Sequence, residues 1–397
     1  MKRPHFSLKS LQKEELIKLL IEKCPEFAEG ENFQENKRKS NKNNEREFDS
    51  SAYESKMVAL KVAYFGFSYQ GFASQTGLLN IFNERKIASN TSDTVEDHIF
   101  RALIRTRLIL DPSTCNYSRC GRTDAGVSST GQVIALRLRT SNKKASCSSD
   151  SDGIDYVNVL NKQLPDDIRI LDWAYVPDDF SARFSCSSRL YHYYFSKIHF
   201  DQATKTMVDL DIGKMKEAAK LLVGVHDFRN FCKRDPSKPQ QSFVREIIDC
   251  YIEEVNNFGG FYKFSCKGSA FLYHQIRCIM SILFMIGMKA EPVDLVKAML
   301  ERIESKENGI TPGPLVHYEI ASGIPLTLHE CLYEKNGSSP IEWTLKSHSS
   351  TLSSHFHRLW ETKQSEAMII KGLVQPEASL NSPKVSNIFK KLLEVSK

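Results

Sequence analysis

The chain has 397 residues, 41% of them apolar, and a formal net charge of +6. That length exceeds one ordinary domain and suffices for a sizeable core, so two domains with tails are expected, and the basic balance permits a polyanionic partner. The longest uncharged apolar run, CIMSILFMIGM at 278–288, is too short to cross a bilayer. Ten cysteines form no C-x-x-C pair and the start carries no signal-peptide pattern, which fits a soluble protein of a reduced intracellular compartment rather than a disulfide scaffold or zinc ribbon.

In chain order, residues 7–27 predict a short helix. Ser10 is placed to cap it, Ile17, Leu20, Ile21 and Cys24 share a face, and Pro25 ends it. Residues 28–55 are polar and charged and read as a disordered linker containing a basic KRK at 37–39. Order is expected from Met57, where VALKVAYFG alternates as a strand, and YQGFASQ at 69–75 follows as a loop. Thr94 and Asp97 resemble a capping box for a helix carrying Val95, Ile99, Ala102 and Leu103 on one face. Residues 115–119 predict a strand and SRCGRTDAGVS at 118–128 a turn. QVIALRLR at 132–139 is a further strand, with Val133, Ala135, Arg137 and Arg139 on one face and Ile134, Leu136 and Leu138 on the other. The serine- and lysine-rich 141–153 reads as a flexible insertion.

A second half begins near Phe184. RLYHYYF at 189–195 is a strand with Tyr191, Tyr193 and Phe195 on one face, and Gly213 opens a helix with Met215, Ala218, Ala219 and Leu222 at helical spacing. GVHDFRNFCKRDP at 224–236 reads as a polar, aromatic and basic loop. Strands are expected near 244–256 and 260–267, then a helix over 272–288. The tail from 336 is serine-rich and unpatterned until NIFKKLLEV, a short amphipathic helix. Strands and helices recur in both halves, which predicts an α+β fold of two lobes with mainly antiparallel sheets. The expected division is 1–55, 56–183, 184–335 and 336–397.

No Walker loop, G-x-G-x-x-G, G-x-S-x-G or H-E-x-x-H occurs, which removes the commonest cofactor-dependent enzymes. Three places remain. In the turn, Gly121 and Gly126 allow a sharp bend and close backbone approach, and Arg119 and Arg122 precede Asp124. Asp124 is either a nucleophile, base or ion-pair partner in a cleft, or an Asp capping its own turn. Arg277 opens a helix apolar on nearly every side, so its guanidinium either meets an anion from elsewhere or reaches solvent from the first turn. Tyr191 is either a stacking surface for a nucleobase or a core aromatic.

These sites, in this order, resemble the TruA family of tRNA pseudouridine synthases. The resemblance runs from about Met57 to Tyr333, through YFGFSYQGFASQ, SRCGRTDAGVSSTGQV, FSARFSCSSRLYHYYF, GVHDFRNF, FLYHQIRCI and GIPLTLHECLYE. NFCKRDP, FVREI and the N-terminal extension look most like the eukaryotic branch, which acts on uridines 38 and 39 of the anticodon stem-loop. The 141–153 insertion and both tails have no counterpart.

The resemblance implies two ferredoxin-like or RRM-like lobes sharing one sheet, an active cleft between them, and a homodimer around tRNA in the nucleus and/or cytoplasm. It implies no cofactor and no metal. It further implies Asp124 as nucleophile, Arg277 as its ion-pair partner, Tyr191 on the uracil, Arg122 on the displaced nucleotide and Leu326 in the base pocket. The reaction breaks a glycosidic bond and rejoins the same base through carbon, so nothing is imported or oxidised. Arg105, Arg107, Arg137, Arg139, Lys233 and Arg234 are candidate phosphate contacts, and Arg119 is a phosphate contact or a surface cation. The rival reading is a noncatalytic tRNA-binding or RNA-folding protein on the same scaffold. A zinc deaminase lacks its H-x-E and C-x-x-C pattern.

Overall fold

In YESKMVALKVAY, apolar residues crowd the centre of the run, with β-branched Val58 and Val62 and aromatic residues at both ends. It forms β1 (Tyr53–Tyr64), the inner strand of the first half of the sheet, with Met57 to Leu60 buried on both faces. The computed structural model describes residue 49, residues 52–75, 93–143, 153–201, 204–234, 242–301, 316–334, 337–344 and 349–373, and residue 388. The helix expected at 7–27, the KRK cluster and nearly all of the NIFKKLLEV segment lie outside those residues. Order begins earlier than Met57: Tyr53 already pairs with Lys143, and the Arg139 guanidinium lies over its ring at 5.1 Å, so 53–55 belong to the sheet and not to a linker.

Thr94 caps α1 (Val95–Arg105): the Asp97 N–H donates to its hydroxyl, and that hydroxyl donates to the Asp97 carboxylate at 2.6 Å. The strand expected at 115–119 shrinks to β2 (Ser118–Arg119), a two-residue pairing on the flank of β3 (Ser128–Lys143). β3 runs three residues into the predicted insertion, of which 144–152 lie outside the described residues. Its two faces divide as the alternation implies. Ile134, Leu136 and Leu138 join the core under α1 and α2 (Tyr156–Asn161), while Val133 and Ala135 join a second core on the opposite face. β4 (Ile168–Tyr175) closes this half.

The second half repeats that order of elements. β5 (Ser188–Ser196) is followed by a β6 (Ile198–Asp201) and β7 (Thr206–Asp209) hairpin, then α3 (Ile212–Lys220), capped by the Asp211 carboxylate. Next come β8 (Gly224–Asp227), β9 (Val244–Glu254), β10 (Phe261–Gly268), α4 (Gln275–Gly287), α5 (Leu295–Leu300) and β11 (Leu326–Leu332). The segment read as a loop at 224–236 is partly built into the core. Its start pairs with β9, Phe228 and Phe231 are buried, Arg229 is paired with Asp227 at 2.6 Å, and the Asn230 amide donates to the Met299 carbonyl. Its polar residues satisfy one another, so a polar pattern there hides a buried segment.

One sheet runs β4-β1-β3-β11-β5-β10-β9-β8, with β2 on β3. Every pairing is antiparallel except β3 with β11, where Ser128 and Ser129 face Thr327 and Leu328. That parallel seam joins the halves. The Ser129 hydroxyl donates to the Leu328 carbonyl at 2.7 Å, and a Cβ on Gly131 would meet the His329 carbonyl oxygen at 2.4 Å, so only glycine fits there. No helix among the described residues is long and apolar enough to cross a membrane.

The tail holds α6 (Ser349–Lys371), which sequence patterning missed. Leu352, His355, Phe356 and Trp360 touch the body, at i, i+3, i+4 and i+8. His355 bonds the Asp166 carbonyl, Phe356 meets Phe65 and Trp360 meets Phe258. Beyond Trp360 the described helix is exposed and polar residues dominate it, which dilutes the periodic signal.

On the face of the seam away from α4, His192 is buried and stacked on His329 with ring centroids 4.0 Å apart. Burial, the His329 ring and Lys263 together hold the His192 imidazole down at about 3. Its folded value lies below its unfolded one, so the stability it contributes is present above the unfolded value and is lost as pH falls toward the folded one. We predict that unfolding free energy in urea drops by about 2 kcal/mol between roughly pH 7 and pH 5 through this group. The His192→Phe variant, which keeps the stack, should lose that part of the slope; an unchanged slope would contradict the assignment.

Candidate active site

The turn that carries Asp124 is fixed from three sides. The Gly121 N–H and carbonyl are both held by the fully buried Gln132 side chain of β3. The Tyr64 hydroxyl and the Thr123 hydroxyl share a hydrogen bond of 2.7 Å, and the Phe72 N–H donates to the Thr123 carbonyl. The Gly126 N–H donates to the Tyr69 carbonyl. Gly126 has φ +79°, the left-handed conformation that needs glycine, whereas a side chain on Gly121 would meet only ordinary contacts. Of the two glycines, then, the first is required by no crowding in the structure.

The Asp124 carboxylate reaches across to the other half rather than capping its own turn. Its Oδ2 lies 3.6 Å from Arg277 Nη1 and 3.3 Å from His274 Nε2. Arg277 does not reach solvent alone: its Nε donates to the Ala321 carbonyl at 2.7 Å, which fixes the guanidinium plane. Its side chain is 17% exposed and that of Asp124 25% exposed, so the pair is a partly desolvated ion pair at the floor of a cleft.

His274 is the residue that sequence reasoning missed. It precedes α4 with φ +61°, a conformation uncommon for a non-glycine residue and one that over-determined sites impose. Tyr273 stacks on its ring at 3.7 Å, and its Nδ1 is buried without a hydrogen-bond partner among the described residues. Burial lowers its imidazole below the usual range; Asp124 opposes the shift, while Arg277 and Lys233 add to it. At neutral pH it is therefore an uncharged ring beside an ion pair. The signal in sequence was one histidine three residues before Arg277, which reads equally well as core.

The cleft has a volume of about 1510 Å³. Its described lining holds six arginines, Arg119, Arg122, Arg183, Arg189, Arg245 and Arg277, against two carboxylates, Glu96 and Asp124. That balance suits a polyanion. Tyr191 and Leu326 line the cleft as expected, and Tyr193 and Phe195, on the same face of β5, are core. Tyr191 packs edge-on against Phe271 at 5.1 Å, and desolvation pushes its phenol well above the usual range, so it is a neutral hydroxyl. Arg122 is exposed at the cleft wall. Phe184 is 80% exposed on the same cleft, with the Arg183 guanidinium 5.1 Å from its ring centre.

Two groups of expected contacts have partners within the protein or lie away from the cleft. Arg119 is neither a bare surface cation nor free for a phosphate, because its guanidinium is paired with Glu96, a carboxylate only 1% exposed. Glu96 also accepts from the Tyr117 hydroxyl at 2.6 Å and the Ser74 N–H at 2.8 Å. It thus ties α1, β2 and the 69–75 loop into one wall of the cleft. None of Arg105, Arg107, Arg137, Arg139, Lys233 and Arg234 lines the cleft. Arg137 pairs with Asp178 at 3.0 Å, the Arg139 Nε donates to the Arg107 carbonyl, and the Lys233 ammonium donates to the Tyr318 carbonyl.

Comparison with known proteins gives a consistent set. The family model of tRNA pseudouridine synthases matches residues 218–334. A human protein named tRNA pseudouridine(38/39) synthase is 35% identical over 382 residues, 91% of this chain and 72% of that one. A Saccharomyces cerevisiae protein of the same name is 38% identical over 294 residues, 72% of this chain and 60% of the relative. The tRNA pseudouridine synthase A of Methanosarcina mazei is 34% identical over 259 residues, 65% of this chain and 80% of the relative.

The Glu96 network makes a direct prediction. Glu96→Gln leaves the Arg119 guanidinium without its counter-charge, and we expect a stability loss of about 3 kcal/mol in thermal or urea denaturation. The double variant Glu96→Leu, Arg119→Met should recover part of it. A single variant as stable as the parent would show that the pair holds nothing together.

Proposed function

The chain belongs to the tRNA pseudouridine synthase family, and from that premise we propose that its cleft converts uridine to pseudouridine at positions 38 and 39 of the tRNA anticodon stem-loop, with Asp124 as nucleophile. The observation that carries the reading is the single reach of Asp124 across the seam to Arg277 and His274 in an arginine-lined cleft. The position assignment rests on the names of the human, bovine and yeast relatives.

Each residue takes a part that its surroundings support. Asp124 attacks the uridine at the base or at the ribose, and either route releases the N-glycosidic bond. The Arg277 guanidinium lies beside its carboxylate, and the Ala321 carbonyl holds that guanidinium in place. The base turns within the pocket, C5 bonds to C1′, the C5 proton departs and the freed N1 takes up a proton, so product and substrate are isomers and no cofactor is called for. Tyr191, as a neutral phenol with an apolar ring, suits a stacked uracil and a donated hydrogen bond. Leu326, buried on β11, forms an apolar wall for the base. A uridine in a stem must leave its stack, at a cost of a few kcal/mol. Exposed Arg122 is suited to hold the displaced nucleotide, and Phe184 with Arg183 offers a second stacking surface at the cleft edge.

The repeated order of strand, helix, two strands, helix, strand, with spatial order β4-β1-β3-β2 and β11-β5-β10-β9, supports two ferredoxin-like lobes at 56–183 and 184–335 sharing one sheet. A homodimer around one tRNA follows from the resemblance and belongs to the same proposal.

The test uses full-chain protein and tRNA tritiated at uridine C5. We expect tritium release and pseudouridine mapped to 38 and 39, with Asp124→Ala slowing turnover by at least about 1,000-fold while tRNA affinity stays within about threefold. Turnover surviving in Asp124→Ala would sink the nucleophile assignment. Release from other positions would overturn the site assignment, and binding without any release by the parent protein would favour the noncatalytic reading.

A further inference from the structure

The conformation of His274 is held at a cost. It stands at the N-cap of α4 with φ +61°, a left-handed backbone in a residue that has a Cβ, and its side chain makes no capping hydrogen bond. A polar residue at that position ordinarily stabilises its helix by accepting from the first turn. Here the turn is fixed by other groups: the Leu272 N–H donates to the Gln275 side chain at 2.7 Å, the Lys233 N–H to the Tyr273 carbonyl, and the Cys278 N–H to the His274 carbonyl. The ring is aimed instead at Asp124. Its Nε2 lies 3.3 Å from Oδ2, and Arg277 Nη1 approaches that same oxygen at 3.6 Å. Neither contact is made to Oδ1, and Asp124 lines the cleft.

We propose that His274 is a positioning residue, a neutral Nε2–H donor that holds Oδ2 of Asp124 together with Arg277 and so presents Oδ1 as the attacking oxygen. The role rests on the reading of Asp124 as nucleophile.

The surroundings of the two ring nitrogens select one tautomer. Nε2 faces a carboxylate oxygen, which accepts and does not donate when ionised. Nδ1 is buried and has no hydrogen-bond partner among the described residues. With the proton on Nε2, the donor meets an acceptor. The reverse tautomer would set two lone pairs against each other and bury an N–H without an acceptor. Protonating both nitrogens would bury that same N–H, so the ring stays neutral. The direction in which burial shifts the imidazole agrees. Tyr273, stacked on the ring with centroids 3.7 Å apart, fixes its plane. This arrangement also excludes a rival role. Neither nitrogen offers a lone pair to the cleft, so His274 is not the base that takes the C5 proton.

A carboxylate turns about its last side-chain bond unless its oxygens are held, and the two oxygens are otherwise equivalent. Two donors on one oxygen remove that freedom and make them different. In attack at the ribose, the bond from Oδ1 to C1′ forms as the C1′–N1 bond breaks, and N1 keeps the electron pair. In attack at the base, Oδ1 adds to C6 and the electron pair moves toward the C4 carbonyl. On either route Oδ2 becomes the carbonyl oxygen of the adduct and keeps its two donors, so the clamp serves formation and reversal alike. Arg277 supplies charge to this clamp and His274 supplies direction, each anchored by a different group: the Ala321 carbonyl for the guanidinium and the Tyr273 ring for the imidazole.

The experiment has two readouts. The first needs no turnover. In full-chain protein carrying 15N in its histidine rings, the signals missing from His274→Gln are those of His274. They should show a proton on Nε2 and none on Nδ1, and Asp124→Ala should move the Nε2 signal. The opposite tautomer, or a signal indifferent to Asp124→Ala, would overturn the assignment whether or not the protein isomerises tRNA. The second readout compares His274→Gln with His274→Met, side chains of similar length that bear the same φ and differ in one N–H donor. Single-turnover tritium release by His274→Met should fall at least about tenfold below the parent, and His274→Gln should be at least about fivefold faster than His274→Met, with the tRNA affinity of both within about threefold of the parent. His274→Gly, which suits the left-handed backbone, should be as slow as His274→Met. Equal rates for His274→Gln and His274→Met, or a loss carried by affinity, would overturn the positioning role while leaving the proposed activity standing. A parent protein that releases no tritium would overturn that activity and the positioning role with it, and the ring spectrum would still decide the contact.

Discussion

Everything at the cleft depends on one distance across the seam between the halves. Asp124 is delivered by a turn of the first half, and Arg277 and His274 by the start of α4 in the second. No segment brings these groups together locally. What fixes them is the short parallel pairing of β3 and β11, the Ser129 hydrogen bond to Leu328, and the close backbone approach at Gly131. A parallel pair is slightly weaker per residue than an antiparallel one, so the close approach and the side-chain bond matter more at this seam than elsewhere in the sheet.

The two sides of the ion pair are held in different ways. Asp124 is positioned by hydrogen bonds from its turn, at Gly121 and Thr123, to the buried side chains of Gln132 and Tyr64. Arg277 is positioned by a carbonyl at Ala321 and by a helix buried on nearly every side. The wall beside them is built on a charge, Glu96, that gathers a guanidinium, a phenol and a backbone N–H. A buried charge is costly unless it is paired. Glu96 is paired within its wall, and Asp124 is left at the floor where a ligand can reach it.

Much of this was legible in the sequence where a pattern is local. The Thr94 cap, the alternation in β3 and β5, the helix at α4 and the acid turn at 121–126 each announce themselves within a few residues. The ion pair of Asp124 with Arg277 was legible only as a demand, since a guanidinium on an apolar helix must find an anion. His274 was illegible because its importance lies in a backbone conformation and a neighbour 150 residues away in sequence. Glu96 went unremarked in the sequence, because its burial against Arg119 comes from tertiary packing. The basic residues chosen as phosphate contacts were chosen by charge alone, and charge does not tell which face of the sheet a residue occupies. α6 escaped because four contact residues in a long polar helix carry too weak a stripe.

The account claims that the reach of Arg277 to Asp124 serves the chemical step and not the capture of RNA. Single-turnover isomerisation and tRNA affinity, measured side by side for Arg277→Gln, test this most directly. The account predicts a rate at least about 100-fold below the parent with affinity within about threefold, the signature of an interaction used only in the transition state. A rate within threefold of the parent, or a loss carried wholly by affinity, would contradict it.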